Sequence, residues 1–300
     1  MLLCVQCPVE YPIRNGIPIL LPNYASREQL AYERCYRTIA EDDLQAPIEP
    51  QRESRHSMLM RFIGDVKGKR VLDIGSSHAL YLRKVQADLK VAVDIAVPYL
   101  EATIENDGIV KICGDAEYLP FKAGYFDVII IADILEHLLN PDRLVEILRT
   151  ACRPDARIIV HVPWEEDLSS YQRTKYEFTH LRSFTSYRFA ELWRGFHVKR
   201  MRETGPCMEE PIVFALERRI PLWLFNLLVH AYHETTLCKW DYETRTRWIN
   251  NLPKREWWLL YLYKPRFRIY ELRLSRGRLW PALFWRVQKL GRILENGVPN

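Results

Sequence analysis

The chain of 300 residues is long enough for one sizeable hydrophobic core with smaller additions. Hydrophobic residues make up 48% and charged residues 27% of it, ordinary globular values that exclude an intrinsically disordered chain. The net charge of +5 is unevenly spread, because the residues from Lys254 onward contain eleven Lys or Arg and three Glu. This basic part predicts an anionic partner, either a phospholipid surface or RNA.

Cysteine usage and apolar runs indicate the compartment. Seven cysteines are scattered along the chain, and only Cys4 and Cys7 lie close together, which favours a reducing environment over a secreted disulfide framework. The N-terminus has no basic region before its short apolar start, and no run approaches the ~20 apolar residues of a spanning helix. We expect a cytoplasmic protein, with peripheral attachment at the inner membrane surface as an option.

The first part of the chain predicts two segments that precede any buried strand. Residues 1–25 are rich in proline and predict turns. Residues 26–59 have a helical pattern that breaks around Pro47 and Pro50, which predicts a helical N-terminal cap.

Five apolar, β-branched runs follow, and helical stretches separate them. Nearly continuous apolar runs are typical of strands that are buried on both faces of a parallel sheet. The runs are Arg70–Gly75, Lys90–Asp94, Ile109–Cys113, Phe126–Ala132 and Arg157–Val162. The best-defined helix precedes the fifth run, where Asn140 can cap it, Pro141 fits its first turn and Pro154 ends it. This alternation predicts a doubly wound α/β fold.

Two further strand-like runs are Phe196–Arg202 and Ile212–Leu216. The connection between them is too short for a crossover helix, so we expect them to pair antiparallel. The prediction is a mostly parallel, seven-stranded sheet in a domain of residues 60–218. Residues 219–300, dense in Trp, Tyr, Arg and Leu, are expected to form a mainly helical extension.

Small and acidic residues follow the predicted strands. Gly75 and the small residues after it form a tight turn, where a backbone can approach a ligand closely. Asp94 ends the second strand, nineteen residues after Gly75, where an acid can accept hydrogen bonds from both hydroxyls of a ribose. A nicotinamide site would need G-x-G-x-x-G, and Ser77 and Leu80 occupy two of those glycine places.

The order of motifs resembles the class I S-adenosylmethionine-dependent methyltransferases of the type-11, ubiquinone-methyltransferase-like group. The resemblance covers about half of the chain. It rests on VLDIG at 71–75, VAVD at 91–94, GDAEYLPF at 114–121, LEHLLNP at 135–141, HLRSFT at 180–185 and GFHV at 195–198. The resemblance implies a Rossmann-like fold, S-adenosylmethionine as the cofactor and methyl transfer as the reaction.

The resemblance also implies roles for the first turn. Gly75 and the turn after it would pass under the methionine part of the cofactor, and Asp73 would orient its ammonium group. The family usually has glycines where this chain has Ser77 and Ala79. Both residues are small, but a positive φ at either would cost of order 1 kcal/mol.

By the same resemblance, Asp94 would hold the ribose hydroxyls. Asp115 would accept a hydrogen bond from the adenine amine, and the backbone N–H of Ala116 would reach a ring nitrogen. Leu119 and Phe121 would pack near the adenine.

Candidates for the catalytic step lie at the ends of later strands and in one loop. Asp133 is expected to line the methyl-transfer pocket, as its counterpart does in the family. A base is required only when the acceptor loses a weakly acidic proton, and His137 and His180 are the candidates. His137 has the alternative role of supporting the start of the next helix. His161 and Trp164, in the fifth strand, are further candidates, and a histidine within a strand more often belongs to the core.

Residues Leu3–Pro22 resemble the second half of a small zinc-ribbon family, some members of which are partners of methyltransferases or are fused to them. Cys4 and Cys7 have the spacing of metal ligands, but a structural zinc site needs four ligands and the family's first Cys pair would lie upstream. We therefore expect a zinc-ribbon-like remnant without bound zinc, and we assign no metal ligands.

The sequence-based prediction is a methyltransferase that acts on a small-molecule, lipid or glycan-precursor acceptor. An RNA methyltransferase and a catalytically silent scaffold with the same fold are the alternatives. Aromatic and basic residues alternate in residues 254–300, which favours an extra structural layer or an anionic membrane surface as partner, and RNA less.

Overall fold

The computed structural model describes residues 1–3, 9–24, 26–45, 58–103, 108–164, 168, 176–204 and 266–274. Two small antiparallel pairs come first, β1 (Leu2–Leu3) with β2 (Glu10–Tyr11) and β3 (Ile13–Arg14) with β4 (Ile17–Pro18). Helices α1 (Arg27–Gln45) and α2 (58–63) follow, as the helical pattern predicts. Their predicted break near Pro47 and Pro50 lies outside the described residues.

A seven-stranded sheet forms the centre of the molecule. Its strands are β5 (Arg70–Ile74), β6 (Leu89–Asp94), β7 (Ile109–Cys113), β8 (Phe126–Ala132), β9 (Cys152–Trp164), β10 (Phe196–Thr204) and β11 (Arg266–Leu274). The spatial order is β10-β11-β9-β8-β5-β6-β7, and within this sheet β11 alone runs against the other strands. The predicted doubly wound, mostly parallel fold is confirmed.

Helices cover both faces of the sheet. They are α3 (Leu80–Lys84), α4 (Val97–Ala102), α5 (Pro141–Ala151) and α6 (Ser186–Leu192), together with α2. Helices α5 and α6 bury apolar residues against one face, and α2, α3 and α4 do so against the other. Strand β8 serves both cores, because Ile129 and Ile131 face one side while Val128 and Ile130 face the other. Burial on both faces explains its unbroken apolar run.

The seventh strand comes from an unexpected part of the chain. Strand β11 lies between β9 and β10 and pairs antiparallel with both, with Phe196 opposite Leu274 at one end of the β10 ladder. The prediction of a mainly helical extension over 219–300 is therefore wrong for Arg266–Leu274, and a domain of 60–218 is too short. The run Ile212–Leu216, expected to pair with β10, lies outside the described residues.

The physical reason for this difference is the charge pattern of β11. Its central residues Ile269, Tyr270, Glu271 and Leu272 are all buried, so the strand is enclosed on both faces. The flanking arginines resemble a basic surface helix in sequence, because nothing local shows that Glu271 will bind arginines from distant strands. Those pairs form only in the folded sheet.

The N-terminal segment covers the opposite edge of the sheet. Ile19 forms a parallel bridge with Cys113 of β7, and the backbone N–H of Leu20 donates to the carbonyl oxygen of Cys113 at 2.7 Å. Ile17 is buried among core residues of β5 and β6. The zinc-ribbon-like resemblance stays a prediction, since Cys4 and Cys7 lie outside the described residues.

No helix within the described ranges is long and apolar enough to cross a membrane.

Candidate active site

Four aspartates meet at the carboxyl edge of the sheet. Asp73 lies near the end of β5 and Asp94 ends β6, while Asp115 and Asp133 follow β7 and β8. These four strands are neighbours and run parallel, so their carboxyl ends share one edge. In open α/β sheets, ligands bind at this edge, where the strand order reverses.

The turn after β5 has an unusual backbone. Gly75 has a φ of +69°, and a Cβ atom there would lie 2.7 Å from Ile134 Cγ2, so glycine is required. Ser77 and Ala79 have φ values of 47° and 54°, the left-handed region in which a side chain costs about 1 kcal/mol or more. The chain thus keeps the glycine-type turn with non-glycine residues at two positions.

Asp94 holds this turn against the end of β6. Its Oδ2 accepts the backbone N–H of Ser77 at 2.8 Å, and its Oδ1 accepts that of Ala96 at 2.9 Å. Burial raises the pKa of Asp94 to about 6, and the two backbone hydrogen bonds oppose that rise. A carboxylate has about four lone-pair sites, so each oxygen keeps capacity for a ribose hydroxyl.

Asp73 and Ser76 supply buried polar atoms beside the same turn. Asp73 is 1% exposed, and burial followed by the charge of Asp94 raises its pKa well above the ordinary value. Among the described residues, neither Asp73 Oδ2 nor Ser76 Oγ has a hydrogen-bond partner. Buried polar atoms without partners are costly, so a ligand with ammonium or hydroxyl donors fits this place.

Asp115 accepts a hydrogen bond from a tyrosine that the sequence analysis did not predict as part of the site. Its Oδ1 accepts the backbone N–H of Glu117 at 2.9 Å, and its Oδ2 accepts the phenol of Tyr24 at 2.8 Å. Nothing in the sequence distinguishes Tyr24 from the other 15 tyrosines, because its role depends on where the chain enters α1. Ala116 and Leu119, which follow Asp115 in the chain, are buried. Phe121 packs on Phe126 at a ring distance of 5.0 Å.

Asp133 and His161 form a pair at the ends of β8 and β9. Asp133 Oδ1 lies 2.7 Å from His161 Nδ1, and the backbone of Asp133 is left-handed with a φ of 53°. The His161 ring is 2% exposed, whereas a third of the Asp133 side chain is exposed. Trp164 is buried, and the guanidinium of Arg268 lies 3.6 Å from its ring centroid. Trp164 is therefore a core residue.

His137 and His180 lie together, with ring centroids 4.7 Å apart. Burial lowers the pKa of His137 to about 3, and the nearby His180 adds to that effect. At the start of α5, the carboxylate of Glu117 accepts the backbone N–H of Asn140 at 2.7 Å, and the alternative role of His137 at this helix start stays a prediction.

Helix α1 forms a roof over this edge of the sheet. The phenol of Tyr36 donates to the carbonyl oxygen of Phe178 at 2.7 Å, and its ring lies 5.8 Å from that of His137. Tyr176 donates to Asp42 at 2.6 Å, which joins the loop around residue 178 to the far part of α1. Gln29 donates to the Tyr118 hydroxyl at 2.5 Å on the other side. The roof thus spans the ends of β7 and β8.

A comparison with protein families finds one match over this region. Residues 72–160 match the family described as "Methyltransferase domain". Among curated proteins, none has a significantly similar sequence. The match covers β5 to β9 and all four aspartates of the site. The predicted enzyme class, with S-adenosylmethionine as its cofactor, is confirmed.

Solved structures show the same fold. A chain of the complex between the Haloferax volcanii Trm112 methyltransferase activator and a methyltransferase is 13% identical, with a TM-score of 0.54 over 83% of this chain and 100% of that one. A SAM-dependent methyltransferase from Aquifex aeolicus is 13% identical, with a TM-score of 0.46 over 75% and 94% of the two chains. Phosphoethanolamine N-methyltransferase 2 from Haemonchus contortus, solved with S-adenosylmethionine, is 15% identical. Its TM-score is 0.46 over 73% of this chain and 52% of that one.

The residues present fit the cofactor. Asp94 and the turn that it holds suit a ribose, and the orphaned oxygen of Asp73 suits an ammonium group. Asp115 offers a carboxylate to an exocyclic amine next to the apolar side chain of Leu119. These individual roles remain predictions, as does membership of the ubiquinone-methyltransferase-like group.

Proposed function

We propose that the chain methylates a small acceptor, which is a small molecule, a lipid headgroup or a glycan precursor. The observation that carries this proposal is the roof made by α1. Tyr36 and the 176–182 loop lie across the end of β8, where the resemblance puts the methyl-transfer pocket. A covered pocket accommodates a small acceptor group more readily than a stacked base of a folded RNA.

S-adenosylmethionine, when bound, supplies a methyl group on a positively charged sulfur. Transfer of that methyl group to the acceptor atom would break the carbon–sulfur bond and leave its electron pair on sulfur. The protein's contribution is to align the two partners and to exclude water. Tyr32, which is buried, and Tyr36, which is partly buried, lie on the roof and help to exclude water.

We assign to Asp133 the role of taking the acceptor's proton. A third of its side chain is exposed at the active edge, and His161 fixes its orientation through Oδ1. Aspartate is a weak base, so this arrangement suits an acceptor that loses its proton as the methyl bond forms.

A transfer assay with a labelled methyl donor tests the proposal. Purified full-length protein is incubated with cell extract separated into small-molecule, lipid, RNA and protein pools. We expect label in the small-molecule or lipid pool, and we expect Asp133→Asn to reduce it at least tenfold with cofactor affinity unchanged. Label confined to RNA would establish the alternative substrate, and cofactor binding with label in no pool would favour a silent scaffold.

The anionic membrane surface is a separate proposal for residues 254–300. The described strand β11 does not support it directly, because Arg268 stacks on Trp164 and Arg273 pairs with Glu271 at 3.0 Å. The proposal therefore depends on Trp257, Trp258 and the basic residues after 275, which lie outside the described residues.

A further inference from the structure

Three potential metal ligands converge where the turn after β8 meets the loop around residue 180. Glu136 and His137 lie in the turn after β8, and His180 lies in the loop that meets α1. One ligand atom from each of these residues lies within 4.8 Å of the other two. We propose that Glu136, His137 and His180 bind a divalent first-row metal ion.

The chemistry of the ligand set favours a metal of this class. Two imidazole nitrogens and one carboxylate form a common site for zinc, and Mn²⁺, Fe²⁺ and Co²⁺ accept the same donors. Three protein ligands leave coordination positions open for an acceptor or water. The carboxylate of Glu136 is 1% exposed, and its negative charge would offset part of the charge of a bound cation.

A purely structural role accounts poorly for His137. The start of α5 is held by Glu117, which accepts the backbone N–H of Asn140. His137 Nδ1 is buried and has no hydrogen-bond partner among the described residues, while Nε2 is 3.8 Å from Glu136 Oε1. That distance is too long for a hydrogen bond and leaves the imidazole poorly satisfied by the protein itself.

Hydrogen bonds hold the backbone in place on both sides of the cluster. The backbone N–H of Leu181 donates to the carbonyl oxygen of Glu136 at 2.8 Å, which fixes His180 next to the turn. The guanidinium of Arg182 donates to the carbonyl oxygens of Leu135 and Leu139, each at 3.1 Å. The ligands are therefore held close together before any ion binds, as a tight metal site requires.

The role of the ion rests on the proposed function. A metal next to Asp133 would bind an acceptor hydroxyl and make it more acidic. The hydroxyl proton would pass to Asp133, and the oxygen would form its bond to the methyl carbon as the carbon–sulfur bond breaks. The inferred substrate is therefore an acceptor with a hydroxyl group that can bind a metal.

Binding of Co²⁺ to the full-length protein without cofactor tests the site. Cys4→Ser/Cys7→Ser serves as the background, because it removes the other pair with ligand spacing. We expect one ion per chain, with an absorption spectrum that lacks thiolate charge-transfer bands. His180→Gln and Glu136→Gln should each weaken binding at least tenfold. His197→Gln, which changes an exposed histidine on β10, should bind as the background does.

The outcomes separate the site from the proposed function. A background protein that binds S-adenosylmethionine, and is therefore folded, but takes up no stoichiometric Co²⁺ would overturn the metal site. If His180→Gln unfolds, Co²⁺ binding is measured on His137→Asn instead, because this variant removes a ligand on the turn rather than on the loop. Methyl transfer that persists at the full rate in a chelator would overturn the metal's role and leave the proposed function intact. Metal binding without methyl transfer to any pool would overturn the proposed function and leave the metal site itself intact.

Discussion

The backbone N–H of Ser77 donates to Asp94 Oδ2 at 2.8 Å, and this bond joins the turn after β5 to the end of β6. One carboxylate therefore holds the turn against the end of β6. A change in the charge of Asp94 should therefore affect both its predicted contact with a ribose and the position of the turn.

Asp94→Ala should weaken S-adenosylmethionine binding at least tenfold. Two hydroxyls that lose a buried acceptor cost about 1–3 kcal/mol, and 1.4 kcal/mol corresponds to a factor of ten. Calorimetry on wild type and variant measures the change, with Asp65→Asn as a control on the exposed surface. An unaltered affinity in Asp94→Ala would remove this residue from the site.

Cofactor affinity should also fall in mild acid. The pKa of Asp94 is raised by burial to about 6 in the folded protein, so the residue gains a proton as the pH falls from 7 to 5. The charged form is the better acceptor, so affinity should decrease below pH 6 in the wild type. Asp94→Asn should bind more weakly at pH 7.5 and lose most of this pH dependence. An equally steep pH profile in that variant would assign the effect to another group.

Glycine substitution should change the free energy of unfolding differently at the two left-handed positions of the turn, Ser77 and Ala79. Ser77→Gly relieves a positive φ at a partly exposed residue and should raise the free energy of unfolding by about 1 kcal/mol. Ala79 is fully buried, so Ala79→Gly also loses a methyl group worth about 0.8 kcal/mol, and the net change should be near zero. Urea titration measures both. Weaker cofactor binding by Ser77→Gly would show that the serine hydroxyl contacts the ligand.

The strand ends were predictable because each follows a buried apolar run in the sequence. The pattern put Asp94 at the end of a strand, and the family resemblance added Asp73 and Asp115 at the same edge. The role of Tyr24 could not be predicted, because it depends on the long-range placement of α1. The cluster at His137 could not be predicted either, because one of its members, His180, comes from a loop that is distant in the sequence.

Glu271 anchors three strands and should be required for stability. It is 4% exposed and lies 3.4 Å from Arg157 Nε, 2.7 Å from Arg200 and 3.0 Å from Arg273. Glu271→Gln leaves these cations without their carboxylate and should lower the free energy of unfolding by about 2 kcal/mol or more at pH 7. Glu146→Gln, an exposed change on α5, should have little effect.

The loss caused by Glu271→Gln should depend on pH. Burial would raise the pKa of Glu271, but Arg157 and Arg200, with Arg273, hold it below the ordinary value. A carboxylate with a lowered folded-state pKa contributes stability above its unfolded pKa, near 4.3, and loses that contribution as the pH falls through the folded value. The variant and wild type should therefore converge below about pH 4. A constant difference from pH 7 to pH 3 would contradict this assignment.

Two truncations should separate the structural part of the C-terminal region from any membrane-binding part. A chain that ends at residue 252 lacks β11 and should fail to give a cooperative unfolding transition. A chain that ends at residue 276 keeps β11 and should fold and bind cofactor. Co-sedimentation with anionic vesicles should be strong for the full chain, decrease with salt, and weaken in the 276-residue form. If the full chain and the 276-residue form bind vesicles equally, residues 277–300 play no part in membrane binding.

The position of β11 also determines when the domain can fold during synthesis. A nascent chain that ends before residue 266 presents the apolar edge of β9, around Val160 and Val162, without its antiparallel neighbour. Unpaired edges of this kind are prone to aggregation. The sheet is completed only after residue 274 has emerged from the ribosome, so strands β9 and β10 wait for β11 before they are joined.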